Sequence, residues 1–466
     1  MQGEGRPRAA APARVIRVAQ GSLKGVVYYN SYDSKLARAG AEKDYGAIMR
    51  IRPGATAEVY QGGQAGGCTV CHNVSANGNV ILTTRENPSP GEGRSNYVSR
   101  VTNTSTNASV RNQDDGSFVW GGLSPNGDLT LSNGVPPIAS RKDEWGPIVV
   151  GSGRIGLDDR PSRLYDTKTG TVIPTPSWDA KVRYAYMPSF SPDGKRVTYN
   201  DYSNVGSPTA GKILGVADFD PASKTFANVT QLTTDPQFVG WPIVTPDSKS
   251  VVYGSVSRDD YGTWGDARGD LKIVHVASKT VASLDRLNGV ENGKVTLPAG
   301  ENEAHRNFEP TILPQPVGGY FWVVFTSRRK IGNVVATDDA ANPARKKLWV
   351  AALDIPPAEL PSTKATDTSH PAFYLEGQEL EAGNMRGFWS LDQCKNTGTT
   401  CEPGVDDCCD GYCRQDASAS GTAFTCVAKK DGCSKEAERC DTAADCCDVD
   451  AQATCTNGKC VKATPR

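Results

Sequence analysis

"MPSFSPDGKRVTYN" (187–200) reads as a short apolar strand, a Pro-Asp-Gly turn and a second strand of alternating polarity. Asp-Gly is a preferred hairpin turn, because both central positions tolerate positive φ. The same string returns as "CHNVSANGNVILTT" (71–84), "WGGLSPNGDLTLSN" (120–133), "WPIVTPDSKSVVYG" (241–254) and "EPTILPQPVGGYFWVVFTS" (309–327). A recurrence of about 50 to 70 residues fits propeller blades with loop insertions. Segments such as "SRLYDTKTGTVIPTP" and "LKIVHVASKTVASL" add two further strands after each hairpin, so the unit is a four-stranded antiparallel blade.

Half-units stand at the two ends of this region. "KGVVYYNSY" (24–32) matches the second strand of a blade, and "GAIMRIRPGATAEVY" supplies strands three and four. "HPAFYLEGQ" (370–378) resembles "MPSFSPDGK" and is expected to be the missing first strand. A C-terminal strand would then complete the N-terminal blade and close a ring of six, which removes exposed sheet edges. The "FSPDG"-type turns resemble the TolB and WD-repeat-like propeller families over residues 22–390. That resemblance implies an all-β six-bladed propeller and says little about activity.

The totals agree with a turn-rich β-protein: 48 Gly and 30 Pro in 466 residues. The formal net charge is −1, which gives no footprint for nucleic acid. No run approaches the roughly 18 apolar residues of a membrane helix. Twelve of the fourteen cysteines lie between Cys394 and Cys460, a density that requires an oxidising compartment. The expected location is therefore extracytoplasmic: periplasm, cell surface or medium. "MQGEGRPRAAAPARV" has no apolar h-region, so we expect a secretory signal already removed and a disordered linker over 1–20. The propeller is expected over 21–390, with two small modules at 391–428 and 429–466.

Aligned repeats put Cys71, Trp120, Met187, Trp241, Glu309 and His370 in one slot, expected to ring one mouth of the central channel. The following slot holds His72, Gly121, Pro188, Pro242, Pro310 and Pro371. Trp120, Met187 and Trp241 read first as channel filling. His370 reads first as a hydrogen-bonded channel residue.

"GGCTVCH" (66–72) contains Cys68, Cys71 and His72 in the order C-x-x-C-H, the attachment pattern of a c-type haem. In that reading both thiols bind the porphyrin and His72 ligates iron, with His370, Met187 or an exogenous ligand in the second axial position. Long loops such as 85–118 and 134–160 would cover the group. The motif lacks the helices that wrap an ordinary cytochrome haem and runs directly into a blade strand. Some bacterial multi-haem synthase propellers loosely resemble this layout. The alternative is a Cys68–Cys71 disulfide, since two adjacent thiols left over in an oxidising compartment should pair. Some TolB-like enzymes hold a divalent metal on channel histidines; that resemblance implies a metal on His72 and His370, with Glu309 as a substitute third ligand.

The tail holds two sets that each read C…C…CC…C…C. Six cysteines allow fifteen pairings. The adjacent central pair resembles the inhibitor cystine-knot (knottin) pattern in tandem. The resemblance implies Cys394–Cys409, Cys401–Cys413 and Cys408–Cys426, then Cys433–Cys447, Cys440–Cys455 and Cys446–Cys460. Modules this small need disulfides in place of a core. They read as a partner-binding arm or as a protease-resistant cap.

"GENEAHRNFEP" (300–310) gathers Glu301, Glu303, His305 and Glu309, and reads first as a solvated acidic loop. Arg328 and Arg329 follow a blade strand and suit a carboxylate or phosphate clamp, or surface ion pairs. No nucleophile elbow, P-loop or dinucleotide fingerprint is present. Three readings follow: a haem-bearing redox protein, a non-enzymatic recognition or scaffold protein, and a metal-dependent hydrolase or lyase. The expected partner is an extracellular or periplasmic protein, a glycan or a redox partner.

Overall fold

A computed structural model describes residues 23–37, 46–63, 69–88, 95–111, 118, 121–132, 161–204, 206–258, 263, 266–297, 300, 303–330, 332, 345–355, 367–401, 408, 411–415, 424–428, 446, 454–456 and 459–461. Among the described residues up to Ser390, six antiparallel sheets form the blades, and a two-stranded hairpin, Val290–Glu291 with Lys294–Val295, lies between the fifth and the sixth. Blade 1 runs Gly383–Ser390, Val26–Tyr32, Ala47–Ile51, Glu58–Gly62 from inside outward. Blade 2 is Thr69–Val74, Val80–Pro88, Ser95–Asn103, with a bridge from Thr102 to Ser109 as the trace of a fourth strand. Blade 3 is Gly122–Leu123, Leu129–Ser132, Arg163–Asp166, Val172–Ile173. Blade 4 is Ala185–Phe190, Arg196–Asp201, Ile213–Asp220, Thr225–Thr234. Blade 5 is Phe238–Val244, Ser250–Val256, Gly269–His275, Val281–Ser283. Blade 6 is Asn307–Ile312, Tyr320–Ser327, Lys347–Asp354, Phe373–Tyr374. Among the described residues the only helices are single turns, α1 (Pro176–Asp179) and α2 (Asp285–Asn288).

The first strands of successive blades touch one another in order, and blade 6 touches blade 1, which touches blade 2. The ring is therefore closed. Apolar residues on strand faces pack between blades; one cluster joins Val27, Tyr29 and Met49 of blade 1 to Trp322, Val324 and Val350 of blade 6. That burial makes the last blade and the first one continuous.

Closure by a C-terminal strand is present, but by a different segment from the one expected. The closing strand is Gly383–Ser390, in register Val26↔Ser390 to Tyr32↔Gly383. Phe373–Tyr374 is instead the outer strand of blade 6, paired with Val350 and Trp349. "HPAF" and "MPSF" look alike, yet blade 6 still lacked its own fourth strand and took this one. The rest of the first blade agrees with expectation.

The two faces of the disc differ. Connections from second to third strands span 33–46, 89–94, 133–162, 202–212, 257–268 and 328–346. Those from first to second strands are the repeat turns 75–79, 124–128, 191–195, 245–249 and 313–319. Most second-to-third connections are thus longer than the first-to-second turns, while the 355–372 connection of blade 6 joins its strands on the turn face. The ends of the propeller both lie on the short-turn face: Trp389 Nε1 donates to Lys24 O, and Leu391 N donates to Ala76 O.

In the tail, Cys401–Cys413, Cys408–Cys426 and Cys446–Cys460 are disulfides with Cα separations of 5.8, 5.5 and 5.5 Å. These are second-to-fifth and third-to-sixth in the first set and third-to-sixth in the second. Cys394 is disulfide-bonded as well. Cys409, Cys433, Cys440 and Cys447 lie outside the described residues, as does the side chain of Cys455. Disulfides of this kind belong to an oxidising compartment, and no described helix is long and apolar enough to cross a membrane.

Candidate functional site

Each described first strand except that of blade 3 carries a β-bulge at the expected slot. Met187–Pro188 face Tyr199 alone, since Tyr186 pairs Asn200 and Ser189 pairs Thr198. Trp241–Pro242 face Tyr253, Glu309–Pro310 face Phe325, and Cys71–His72 face Thr83 in the same way. In the closing strand the pair is Arg386–Gly387, opposite Tyr29. The ring of slot residues is therefore completed by Arg386, not His370. Trp120 lies outside the described residues.

The slot is conformationally specific. Met187, Trp241, Glu309 and Arg386 have φ of 49°, 50°, 53° and 50°. Left-handed backbone costs a non-glycine residue on the order of 1–2 kcal/mol. Proline follows well because a bulge leaves its position without a ladder donor.

The four side chains meet on the channel axis and offset that cost. Trp241 N donates to Met187 Sδ at 3.2 Å. The Arg386 guanidinium lies 3.8 Å from the Trp241 ring centroid, a cation–π contact. Glu309 Oε2 accepts from Thr326 Oγ1 at 2.8 Å and from Arg386 N at 3.1 Å. The space they leave, bordered also by Asn73, Gly121 and Phe388, is about 30 Å3. That holds about two water molecules, so the axis is plugged by side chains.

His72 sits in the second bulge position and turns into blade 1. It is fully buried. Its Nε2 lies 2.9 Å from Tyr28 O, and its Nδ1 lies 2.9 Å from the Asn30 carboxamide. A neutral imidazole has one N–H, so Nε2 donates to the carbonyl and Nδ1 accepts from the Asn30 amide turned to present its NH2. Burial first, then the nearby Arg386 charge, hold its pKa down to about 3. The C-x-x-C-H motif implies a haem with iron on His72. This ring does not fit that role, because both nitrogens are spent on blade 1. Cys68 lies outside the described residues, and of Cys71 only the strand backbone is described.

His370 is elsewhere. Its Nε2 lies 2.9 Å from Asp354 Oδ1, and its ring meets Tyr320 edge-on at 5.2 Å. Asp354 ends the third strand of blade 6 and Tyr320 begins its second, so His370 lies on the short-turn face at the rim. His72, His370 and Glu309 do not converge, and His370 and Met187 do not flank His72. Among the described residues, the cysteines Cys401, Cys408 and Cys426 form the one group close enough to share a metal. All three are in disulfides.

Arg328 and Arg329 are both buried. Arg329 Nη2 donates to Asn307 Oδ1 at 2.6 Å and to Leu287 O at 2.8 Å, bracing blade 6 against α2. Glu303 accepts from Lys330 N. Sequence reasoning missed Arg386, Asn30 and Asp270. "NMRGFWS" (384–390) carried a usable signal: an alternating strand with a small residue after the slot.

No family model and no curated protein matches the chain. Among solved structures it is similar to TolB of Acinetobacter baumannii at 13% identity and TM-score 0.41, over 79% of this chain and 67% of that one. A protein assigned as TolB from Agrobacterium tumefaciens gives 13% identity and TM-score 0.37, over 80% and 99%. Hydrazine synthase of Kuenenia stuttgartiensis gives 15% and 0.29, over 58% and 79%. The closed ring of six contacting inner strands itself identifies the chain as a six-bladed β-propeller with a disulfide-bonded C-terminal tail.

Proposed function

We propose that this is an extracytoplasmic recognition or scaffold protein without haem, in which Cys68 and Cys71 pair with each other. The observation that carries the reading is the engagement of both His72 ring nitrogens by Tyr28 and Asn30. A histidine used in this way joins blade 2 to blade 1 and has no lone pair left for iron. The side-chain plug on the axis supports the same reading, because among the described residues it leaves about 30 Å3 there. Recognition then falls to the surface, and the long-connection face is the natural side for it, since binding residues gather on loops held by a rigid scaffold. The propeller's described ends, near Lys24 and Leu391, lie on the opposite face.

The competing redox reading differs by a measurable mass. Protein secreted by a host able to attach c-type haem is expected to be colourless and two hydrogens lighter than the reduced chain for the Cys68–Cys71 pair, after the tail disulfides are counted. Covalent haem would add roughly six hundred daltons and a Soret band, and that result would overturn the proposal.

A further inference from the structure

The junction of blades 5 and 6 on the long-connection face holds polar groups that the propeller leaves incompletely satisfied. Gly269 and Arg306 form a parallel bridge there, and Gly269 N donates to His305 O. The bridge sets Asp270 against His305, with Nδ1 2.7 Å from Asp270 Oδ2. A carboxylate only accepts, so Nδ1 carries a proton, and in the neutral ring Nε2 then keeps a lone pair. The His305 side chain is 44% exposed, and its backbone is left-handed at φ 56°.

Its neighbours are unusual too. Arg306 Nη1 is 3.6 Å from Glu303 Oε1, long for a charge-assisted hydrogen bond. Arg306 Nε and Asp270 Oδ1 are buried and have no partner among the described residues. Arg328 donates from Nη2 to Ala267 O at 2.6 Å; burial, then the charges of Arg306 and Arg268, push its pKa down to about 10. The Arg306 guanidinium, a carboxylate-backed imidazole and a left-handed backbone thus share one spot. Backbone strain clusters at functional sites, and a buried polar group without a partner calls for one.

We propose that this junction binds a small ligand carrying an oxyanion, carboxylate or phosphate, beside a hydroxyl group. Arg306 takes the oxyanion oxygens; His305 Nε2 accepts from the hydroxyl; Asp270 fixes the imidazole. The proposal rests on the recognition reading and gives that reading a ligand class.

The test is calorimetric titration of the full chain with glucuronate, with glucose 6-phosphate, and with glucose as the uncharged control. Saturable binding of at least one anion and none of glucose is expected. Glucuronate alone would identify a carboxylate ligand and the phosphate ester alone a phosphate. Arg306→Gln should weaken binding about tenfold or more. His305→Gln, at an exposed ring, should weaken it about threefold or more while leaving the melting temperature unchanged, and decides the matter if the arginine variant does not fold. Binding of neither anion, equal binding of glucose, or unchanged affinity in the variants overturns the proposal. None of those results touches the recognition reading, which the mass measurement decides separately.

Discussion

At His72 the chemistry of the motif and the chemistry of the fold compete for the same two nitrogens, and the fold takes both. The consequence is an acid sensitivity with a defined sign. The folded pKa of about 3 lies below the ordinary 6.5, so the unfolded chain binds the extra proton. Stability from this residue is complete above pH 6.5 and is lost as pH falls toward the folded value. Between pH 6.5 and about 5, where carboxylates stay ionised, urea unfolding should lose up to about 1.4 kcal/mol per pH unit from this one group. His72→Gln should flatten that slope, while an unchanged slope would remove the structural role assigned here. The slot residues make the complementary point. Four different side chains accept the same left-handed backbone because each finds a partner on the axis.

At the scale of the element, the repeat is a hairpin with a bulge in its first strand. The turns were legible, because Asn-Gly and Asp-Gly state their own φ. Gly78 has φ 75°, and a Cβ there would lie 2.1 Å from Leu391 O, where the chain leaves the closing strand. Gly78→Ala should therefore cost about 2 kcal/mol or more by denaturant midpoint. Gly293→Ala is the control: φ is 72° with nothing within 4 Å, so only the backbone term of about 1 kcal/mol remains. Equal costs for the two would mean that the contact with the closing strand is not tight. The bulges were legible as an alignment column but not as bulges, since pairing registers lie across strands.

For the whole molecule, closure is the organising fact. Residues 383–390 enter a sheet whose other strands come from 26–62. A chain ending at Ala382 should expose Val26–Tyr32 as an inner edge, and should aggregate or unfold without a cooperative transition. A chain ending at Asp392 keeps the Arg52–Asp392 ion pair at 2.8 Å and should keep the cooperative transition. Chromatography with urea unfolding compares the two; a cooperative monomer from the shorter chain would show that closure is dispensable. The described ends of the propeller lie together on one face, where Trp389 Nε1 donates to Lys24 O and Leu391 N to Ala76 O.

Local chemistry is what the sequence determined by itself. Turn residues and strand alternation act over a few positions, so the blade unit and the ring of six could be read directly; cysteine spacing left the tail pairings open, and the three disulfides described agree with what the knottin resemblance implied. Which C-terminal segment closes the ring, and which residue completes the slot, was decided by tertiary pairing. "HPAF" and "NMRGFW" both suit a strand, and only the needs of blade 6 and blade 1 together assign them. The same holds for C-x-x-C-H. The spacing allows haem, but the Asn30 and Tyr28 groups that occupy His72 lie over forty residues away in sequence. The dyad of Asp270 and His305 exists only because two blades meet at a parallel bridge.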